Sequence, residues 1–249
     1  TLNAHYYLQE QYSLLTEIIK KLMDIGLDTF IIADVAFIMY LREKNVNCKI
    51  HLSGEAEVIN HLSMMFFDNL DITRYIFPRK ITLNDMNDTI KNFGLKGKEY
   101  EAFYLNSFCQ YSGGFCNSIH CDYLPTACWL PYKILLRDEN NDKFMHTTRT
   151  FKFIDKTSQS NKKSGENVYP FAGSGCGICR VGDLKSIGIG YLKVVGRGHD
   201  LDSLQKDIQL VHKIINSPNF QYAQAENITQ EYFSGNCPDR CYYPQRLSK

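Results

Sequence analysis

No stretch of this chain approaches the roughly 18 consecutive apolar residues that a membrane-spanning helix requires, so no membrane span is expected. The opening TLNAHYYLQEQ lacks a basic region followed by an apolar run and does not read as a secretory signal. A cytoplasmic location is therefore expected. The chain also opens without Met, which places its expected true beginning upstream.

An excess of charge of one sign is missing as well. There are 28 Lys and Arg against 27 Asp and Glu, a net charge of +1. No global field draws such a chain onto nucleic acid or an anionic membrane, and a nucleic-acid partner is not indicated. Lys152, Lys156, Lys162 and Lys163 make a local basic run, read as a solvated loop.

Several catalytic signatures are absent. There is no GxGxxG fingerprint or phosphate loop, which argues against dinucleotide binding. There is no HExxH and no GxSxG. Ser112 has a hydroxyl but no evident His base. For a cysteine nucleophile, His120 beside Cys121 is the one nearby partner.

What is present is an ordinary globular composition, 44% apolar and 22% charged over 249 residues. That length suits one large domain and can bury a sizeable core. Residues 12–25 place Leu14, Leu15, Ile18, Ile19, Leu22 and Ile25 at helical spacing, and Gly26 stops the helix. Thr29 to Ala33 then reads as a buried strand, with Asp34 at its carboxyl end. The unit recurs: helix at Phe37–Arg42, strand at Cys48–Ser53, helix at Val58–Asn69, strand at Arg74–Pro78. Leu83–Asn92 is expected as helix, with Thr82 as N-cap and Asp85 as the third-position acid. Glu101–Leu105 follows as strand. After an irregular middle, the pattern resumes with helix at Val181–Ile187, strand at Tyr191–Val195 and an amphipathic helix at Leu201–Ile215. Leu204, Ile208, Val211 and Ile215 are expected on the apolar face of that last helix.

Strands alternating with helices about every 25 residues imply a parallel sheet. The fold class expected is α/β: a (β/α) barrel-like parallel sheet with a cysteine-rich insertion (106–180) and an irregular C-terminal tail (216–249).

Nine cysteines dominate the chemistry. Cys48, on a predicted strand, reads as a small buried hydrophobe. The other eight are grouped: Cys109, Cys116, Cys121 and Cys128 in the middle, Cys176 and Cys179 as CxxC, Cys237 and Cys241 as CxxxC. Without a secretory signal, grouped cysteines point to metal rather than disulfides. Thiolates suit both iron–sulfur clusters and zinc, and spacing alone leaves the two open.

Four segments resemble the U32 peptidase family, which also contains iron–sulfur hydroxylation proteins of ubiquinone synthesis and tRNA modification. They are IHLSGEAEVIN at 50–60, RYIFPRKITLNDM at 74–86, EAFYLNSFCQYSGGFC at 101–116 and CGICRVGDLKSIGIGYLKVVGRG at 176–198. The resemblance implies a single barrel-like domain over 1–249, short of its N-terminal strand if the chain begins upstream. It implies a [4Fe–4S] cluster, for which Cys109 and Cys116 match the first two ligands and Cys176 the last. The third is Cys128 or Cys121, and the sequence does not decide between them. The remaining cysteines, Cys179, Cys237, Cys241 and one of the middle pair, leave room for a second metal site, iron–sulfur or zinc.

Departures accompany the match. Arg79-Lys80 stands where the family usually has Arg-Glu, Val195 where it has Glu before Gly-Arg, and Leu105-Asn106 where it has His-Gly. An unfamiliar substrate is therefore expected.

The function expected is an iron–sulfur enzyme modifying an organic substrate, by oxygen-independent hydroxylation. Arg79, Glu101, Lys193 and Arg197 are the candidate catalytic residues, because strand carboxyl ends face the active site of a barrel. The alternatives are a peptidase acting on peptides, and a non-catalytic, metal-stapled module that docks a protein partner through CPDRCYYPQ. For that terminal segment, a metal-bound tail that caps the barrel is the favoured reading.

Overall fold

Short runs of β-branched and aromatic residues form the strands, because such side chains pack well on a pleated surface. In the computed structural model these are β1 (Thr29–Ile32), β2 (Lys49–Leu52), β3 (Ile72–Ile76) and β4 (Glu99–Leu105). The short β5 (Phe108–Cys109), β6 (Leu136–Arg137), β7 (Phe144–Met145) and β8 (Ala172–Gly173) follow, and then β9 (Tyr191–Val194). The helices are α1 (Tyr12–Asp24), α2 (Val35–Glu43), α3 (His61–Asp68), α4 (Leu83–Phe93), α5 (Val181–Ser186), α6 (Leu201–Ile215) and α7 (Tyr222–Tyr232). The structure describes residues 1–94, 97–106, 108–109, 136–137, 144–145, 172–173, 175–196, 199–217, 222–233, 241–245 and 247.

Four helices open on a polar residue that receives a backbone N–H. Asp34 accepts from Phe37, Asn60 from Ser63, Thr82 from Asp85 and Asp200 from Ser203. Each cap satisfies one otherwise orphaned donor and fixes where the chain leaves the preceding strand or loop.

Five strands make one parallel sheet in the order β1-β2-β3-β4-β9. It curls into a half-barrel, so the (β/α) barrel-like expectation holds. One face carries Ile50, Leu52, Tyr75, Tyr100 and Tyr104, all buried. Tyr75 reaches α3, donating to the Met64 carbonyl, and its ring meets Phe93 of α4. The opposite face carries His51, Arg74, Glu99, Glu101, Phe103, Tyr191 and Lys193. Strand alternation thus separates an apolar side under the helices from a polar inner wall.

Two sequence expectations about helix faces are corrected. In α1 the buried residues are Tyr12, Thr16 and Ile19, while Leu14, Ile18 and Ile25 are exposed. The tyrosine hydroxyl explains the rotation: Tyr12 donates to Asp34, the cap of α2, and its ring packs on Phe37. In α6 the buried row is Asp207, Leu210, Val211 and Ile214, while Ile208 and Ile215 face outward. A buried acid turns this helix, because Asp207 accepts from both Asn106 and Tyr232.

At the carboxyl end of β4 three segments lie side by side. Asn106 N–H donates to Gly175 O at 2.9 Å, and Gly177 N–H donates to Tyr104 O at 2.8 Å. On the far side of this loop, Tyr242 N–H donates to Cys176 O at 2.9 Å, and Cys176 and Cys241 form a parallel bridge. The C-terminal segment is thus pinned onto the half-barrel, and within 216–249, expected to be irregular, α7 forms a helix.

Candidate active site at the carboxyl end of the half-barrel

Glu101 lies in the middle of the most buried strand, and a buried carboxylate persists only when it is paired. Arg74 of the neighbouring β3 supplies Nη1 at 3.0 Å, and Lys193 of β9 on the other side supplies Nζ at 3.5 Å. Arg74 also reaches Glu99, Nε at 2.8 Å, and its guanidinium stacks 3.3 Å from the Tyr191 ring centroid. Tyr191 in turn donates to Glu99 at 2.7 Å.

Burial lowers the pKa of Lys193, against the pull of Glu101. Burial, reinforced by Arg74, lowers that of His51. The Tyr191 hydroxyl, with Arg74, lowers that of Glu99.

One step toward the carboxyl end, the wall becomes an aromatic platform. Arg79 lies 4.2 Å and Lys193 Nζ 5.5 Å from the Phe103 ring centroid. Arg79 is held by Glu55 at 2.5 Å, and Glu55 follows the capping Ser53 just beyond β2. On Phe103 lies the Tyr242 ring, centroids 5.9 Å apart, and Phe108 lies on Tyr242 at 5.5 Å. The Tyr242 phenol meets the Arg79 guanidinium and donates to the Asn106 carbonyl. Burial raises its pKa, Arg79 opposes this, and the charges of Cys176 and Cys109 add to the rise. The Cys176 backbone holds that of Tyr242, and Cys109 follows Phe108, whose ring lies on Tyr242.

Cys109 sits on β5, paired antiparallel with β8, and Leu105 bridges to Cys176. Gly175 is required here, since a Cβ on it would stand 2.5 Å from the Tyr242 ring. A Cβ on Gly177 would stand 3.0 Å from Tyr243. Tyr243 is fully buried, donating to Phe103 O at 2.6 Å, and its own carbonyl accepts from Arg180. Beside this lie Cys179 and Cys241, both free thiols. The interaction of their side chains lowers the pKa of Cys241, whereas it and burial raise that of Cys179.

Of the candidate catalytic residues, Arg79, Glu101 and Lys193 share the inner wall, and Arg197 lies outside the described residues. Of the candidate ligands, Cys176 and Cys241 are bridged beside Tyr242, Cys109 lies on β5, and Cys179 lies in the turn next to Arg180, which binds the Tyr243 carbonyl. Cys116, Cys121, Cys128 and Cys237 lie outside the described residues, as do Ser112, His120 and Lys152, Lys156, Lys162 and Lys163. Among the described residues, no three Cys, His, Asp or Glu side chains gather closely enough to hold a metal ion. Cys48 is buried, and its carbonyl accepts from Arg42 at 3.1 Å, as expected of a structural cysteine.

Sequence reasoning missed Arg74, Glu99 and Glu55. The alternation Glu99, Glu101, Phe103 within EYEAFYL was the available signal for an inner wall. CPDRCYYPQ was singled out with Tyr242 in it, but the contact of Tyr242 with β4 depends on the C-terminal segment returning there.

An α/β half-barrel with a charged inner wall and cysteines at its carboxyl end defines the class of protein. The model of peptidase family U32 matches residues 1–237, and the chain belongs to that family. It is 30% identical over 98 residues to tRNA hydroxylation protein P of Escherichia coli (strain K12), covering 39% of this chain and 21% of that protein. It is 33% identical over 106 residues to tRNA hydroxylation protein P of Helicobacter pylori (strain ATCC 700392 / 26695), covering 43% and 25%. To the protein of that name from Haemophilus influenzae (strain ATCC 51907 / DSM 11121 / KW20 / Rd) it is 26% identical over 98 residues, covering 39% and 21%. These matches span about a fifth to a quarter of the relatives' length. No solved structure matches the chain significantly. No described helix is long and apolar enough to cross a membrane.

Proposed function

We propose that this chain is the working half-barrel of an iron–sulfur enzyme that modifies a nucleoside of tRNA by oxygen-independent hydroxylation. The observation that carries the reading is the placing of the Cys109 strand and the Cys176 loop on either side of Tyr242, beside Arg79 and Phe103. The names of the relatives supply the substrate class, which net charge had not suggested.

Soft thiolate donors fit an iron–sulfur cluster. Cys109 and Cys176 would hold it, together with Cys116 and Cys128. A cluster with four thiolate ligands supplies electron transfer. Replacing C–H by C–OH with oxygen from water releases two electrons and two protons, and an external electron acceptor of the redox-protein class takes the electrons.

The chain's own residues account for binding and proton handling. Phe103, buried under Tyr242, seats the cations Arg79 and Lys193, which suit the anionic groups of a nucleotide. Lys193 is easier to deprotonate than a solvated lysine and lies against Glu101, so the pair can take up and pass on a proton. Arg74 holds Glu101 in place, and Glu55 holds Arg79. The packed C-terminal tyrosines keep water from the cysteine side of the site.

The test is the nucleoside composition of tRNA from anaerobic cells that lack their own tRNA hydroxylation proteins, with and without this chain. The reading expects one nucleoside to gain the mass of an oxygen atom, and Lys193→Met to abolish the gain. Unchanged nucleosides alongside a soluble, iron-loaded chain would refute it.

A further inference from the structure

Cys179 and Cys241 belong to neither the charged wall nor the pair of cysteines at the Tyr242 phenol. Each is half-buried, and each is a free thiol. They come from different segments: Cys179 from the 3-10 turn Ile178–Arg180, Cys241 from the C-terminal segment. The two side chains lie close enough for each to shift the ionisation of the other.

The backbone on both sides holds this approach in place. Cys176 and Cys241 form a bridge, Tyr242 N–H is fixed to Cys176 O, and Arg180 Nε binds Tyr243 O at 3.1 Å. The Cys179 turn thus touches the C-terminal segment on both sides of the cysteine pair. Two sulfurs presented by rigid neighbours have little left to reorganise before they bond, which favours a disulfide over chance collision. No third Cys, His, Asp or Glu among the described residues completes a metal site with them.

We propose that Cys179 and Cys241 form a reversible disulfide, a clasp that locks the C-terminal segment over the Gly175–Gly177 loop under oxidising conditions. The oxidant is a low-molecular-weight disulfide of the glutathione class. One protein thiolate attacks its S–S bond and releases a glutathione thiol, leaving a mixed disulfide. The second protein thiolate displaces the remaining glutathione. One S–S bond forms in the protein, one breaks in the oxidant, two protein thiols are oxidised, and two glutathione thiols appear.

Closing the clasp has a structural consequence. Tyr242 and Tyr243 fill the space above Gly175 and Gly177 and can leave only if the C-terminal segment peels away. With the disulfide closed, that segment is tied at both ends of the contact and the loop carrying Cys176 is held shut. Reduction frees it to open.

The experiment equilibrates the full chain, prepared anaerobically, with oxidised glutathione in the absence of oxygen. Remaining thiols are alkylated and the protein is digested and mapped by mass. The expected result is one linked pair of peptides containing Cys179 and Cys241, reversed by dithiothreitol. Slower amide exchange at 175–180 in the oxidised form is expected with it. Cys179→Ser removes the link, whereas Cys48→Ser leaves it. Linkage of Cys241 to Cys176 or Cys237 would overturn the proposal. So would full alkylation of Cys179 and Cys241 after oxidation, or one tightly held zinc ion protecting both. The wild-type map decides the question even where a variant fails to fold. It is independent of iron, so the clasp stands or falls apart from the proposed reaction.

Discussion

Asn106 and Asp207, 101 residues apart in the chain, share a buried hydrogen bond that joins the end of β4 to the middle of α6. Asn106 adopts a left-handed backbone with φ +66°, a conformation open chiefly to Gly and Asn. Asn retains the turn and adds a side chain that Asp207 anchors, while its carbonyl receives the Tyr242 hydroxyl.

That arrangement predicts an order among variants. Asn106→Gly keeps the backbone but leaves Asp207 one donor short, for a loss of about 1–3 kcal/mol. Asn106→Ala adds the left-handed strain and is expected to be worse by about 1 kcal/mol. Urea unfolding of the two variants checks the order, and an Ala variant as stable as Gly would contradict it.

Tyr242 and Tyr243 make the C-terminal segment part of the core. Gly175→Ala is expected to displace Tyr242 and expose residues 241–245 to limited proteolysis, because its Cβ would lie 2.5 Å from the ring. Tyr243→Ala is expected to cost about 3–5 kcal/mol, as for other large buried rings. Gly182→Ala is the control: it lies in α5 with open space around it and is expected to stabilise by up to about 1 kcal/mol. Resistance of the Gly175→Ala protein to proteolysis would show that the segment does not need the glycine.

Removing Glu101 leaves two partly buried cations facing each other. Glu101→Gln is expected to destabilise by about 3–5 kcal/mol, the usual effect of breaking a buried pair from one side. It also removes the charge that opposes burial at Lys193, so the lysine is expected to titrate at a still lower pH. Reductive methylation followed by NMR titration of Lys193 measures this, and an unchanged or raised value would contradict the pairing.

Acid acts on the same wall through His51 and Glu99. His51 sits below its ordinary value of 6.5 in the folded chain because of burial and Arg74. As pH falls through about 6.5 the unfolded chain takes up the proton first, and stability drops until the folded value is passed. Glu99 is also lowered, so its contribution is present above its ordinary value of 4.5 and is lost as pH falls through the folded one. The urea midpoint is therefore expected to decline steadily below neutrality. His51→Gln should flatten the upper part of that decline, and an unaltered profile would exclude His51.

Much of the frame was readable from local pattern. The apolar runs at Thr29–Ile32 and Lys49–Leu52, with caps such as Thr82, predict their elements to within a few residues, since a strand or cap is decided by its immediate neighbours. The U32 membership followed from motifs spread along the chain. Helix faces were less legible: α6 turns on Asp207, whose partners come from β4 and α7. The site was half legible. Arg79, Glu101 and Lys193 stood out as charged residues on or just beyond predicted strands, but Arg74 and Glu99 gain meaning only from the register that sets β3 against β4. Tyr242 depended on a contact 136 residues away, which no local pattern encodes.

The central claim is that Cys109 and Cys176 serve one inorganic centre beside the Tyr242 phenol. Iron and acid-labile sulfide counted per chain, on anaerobically purified wild type and on Cys109→Ala and Cys176→Ala, test it most directly. The account predicts a near-integral, matching load of iron and sulfide in wild type, and loss of both in each variant while the fold persists by circular dichroism. An iron-free wild type, or variants that keep the full load, would contradict it.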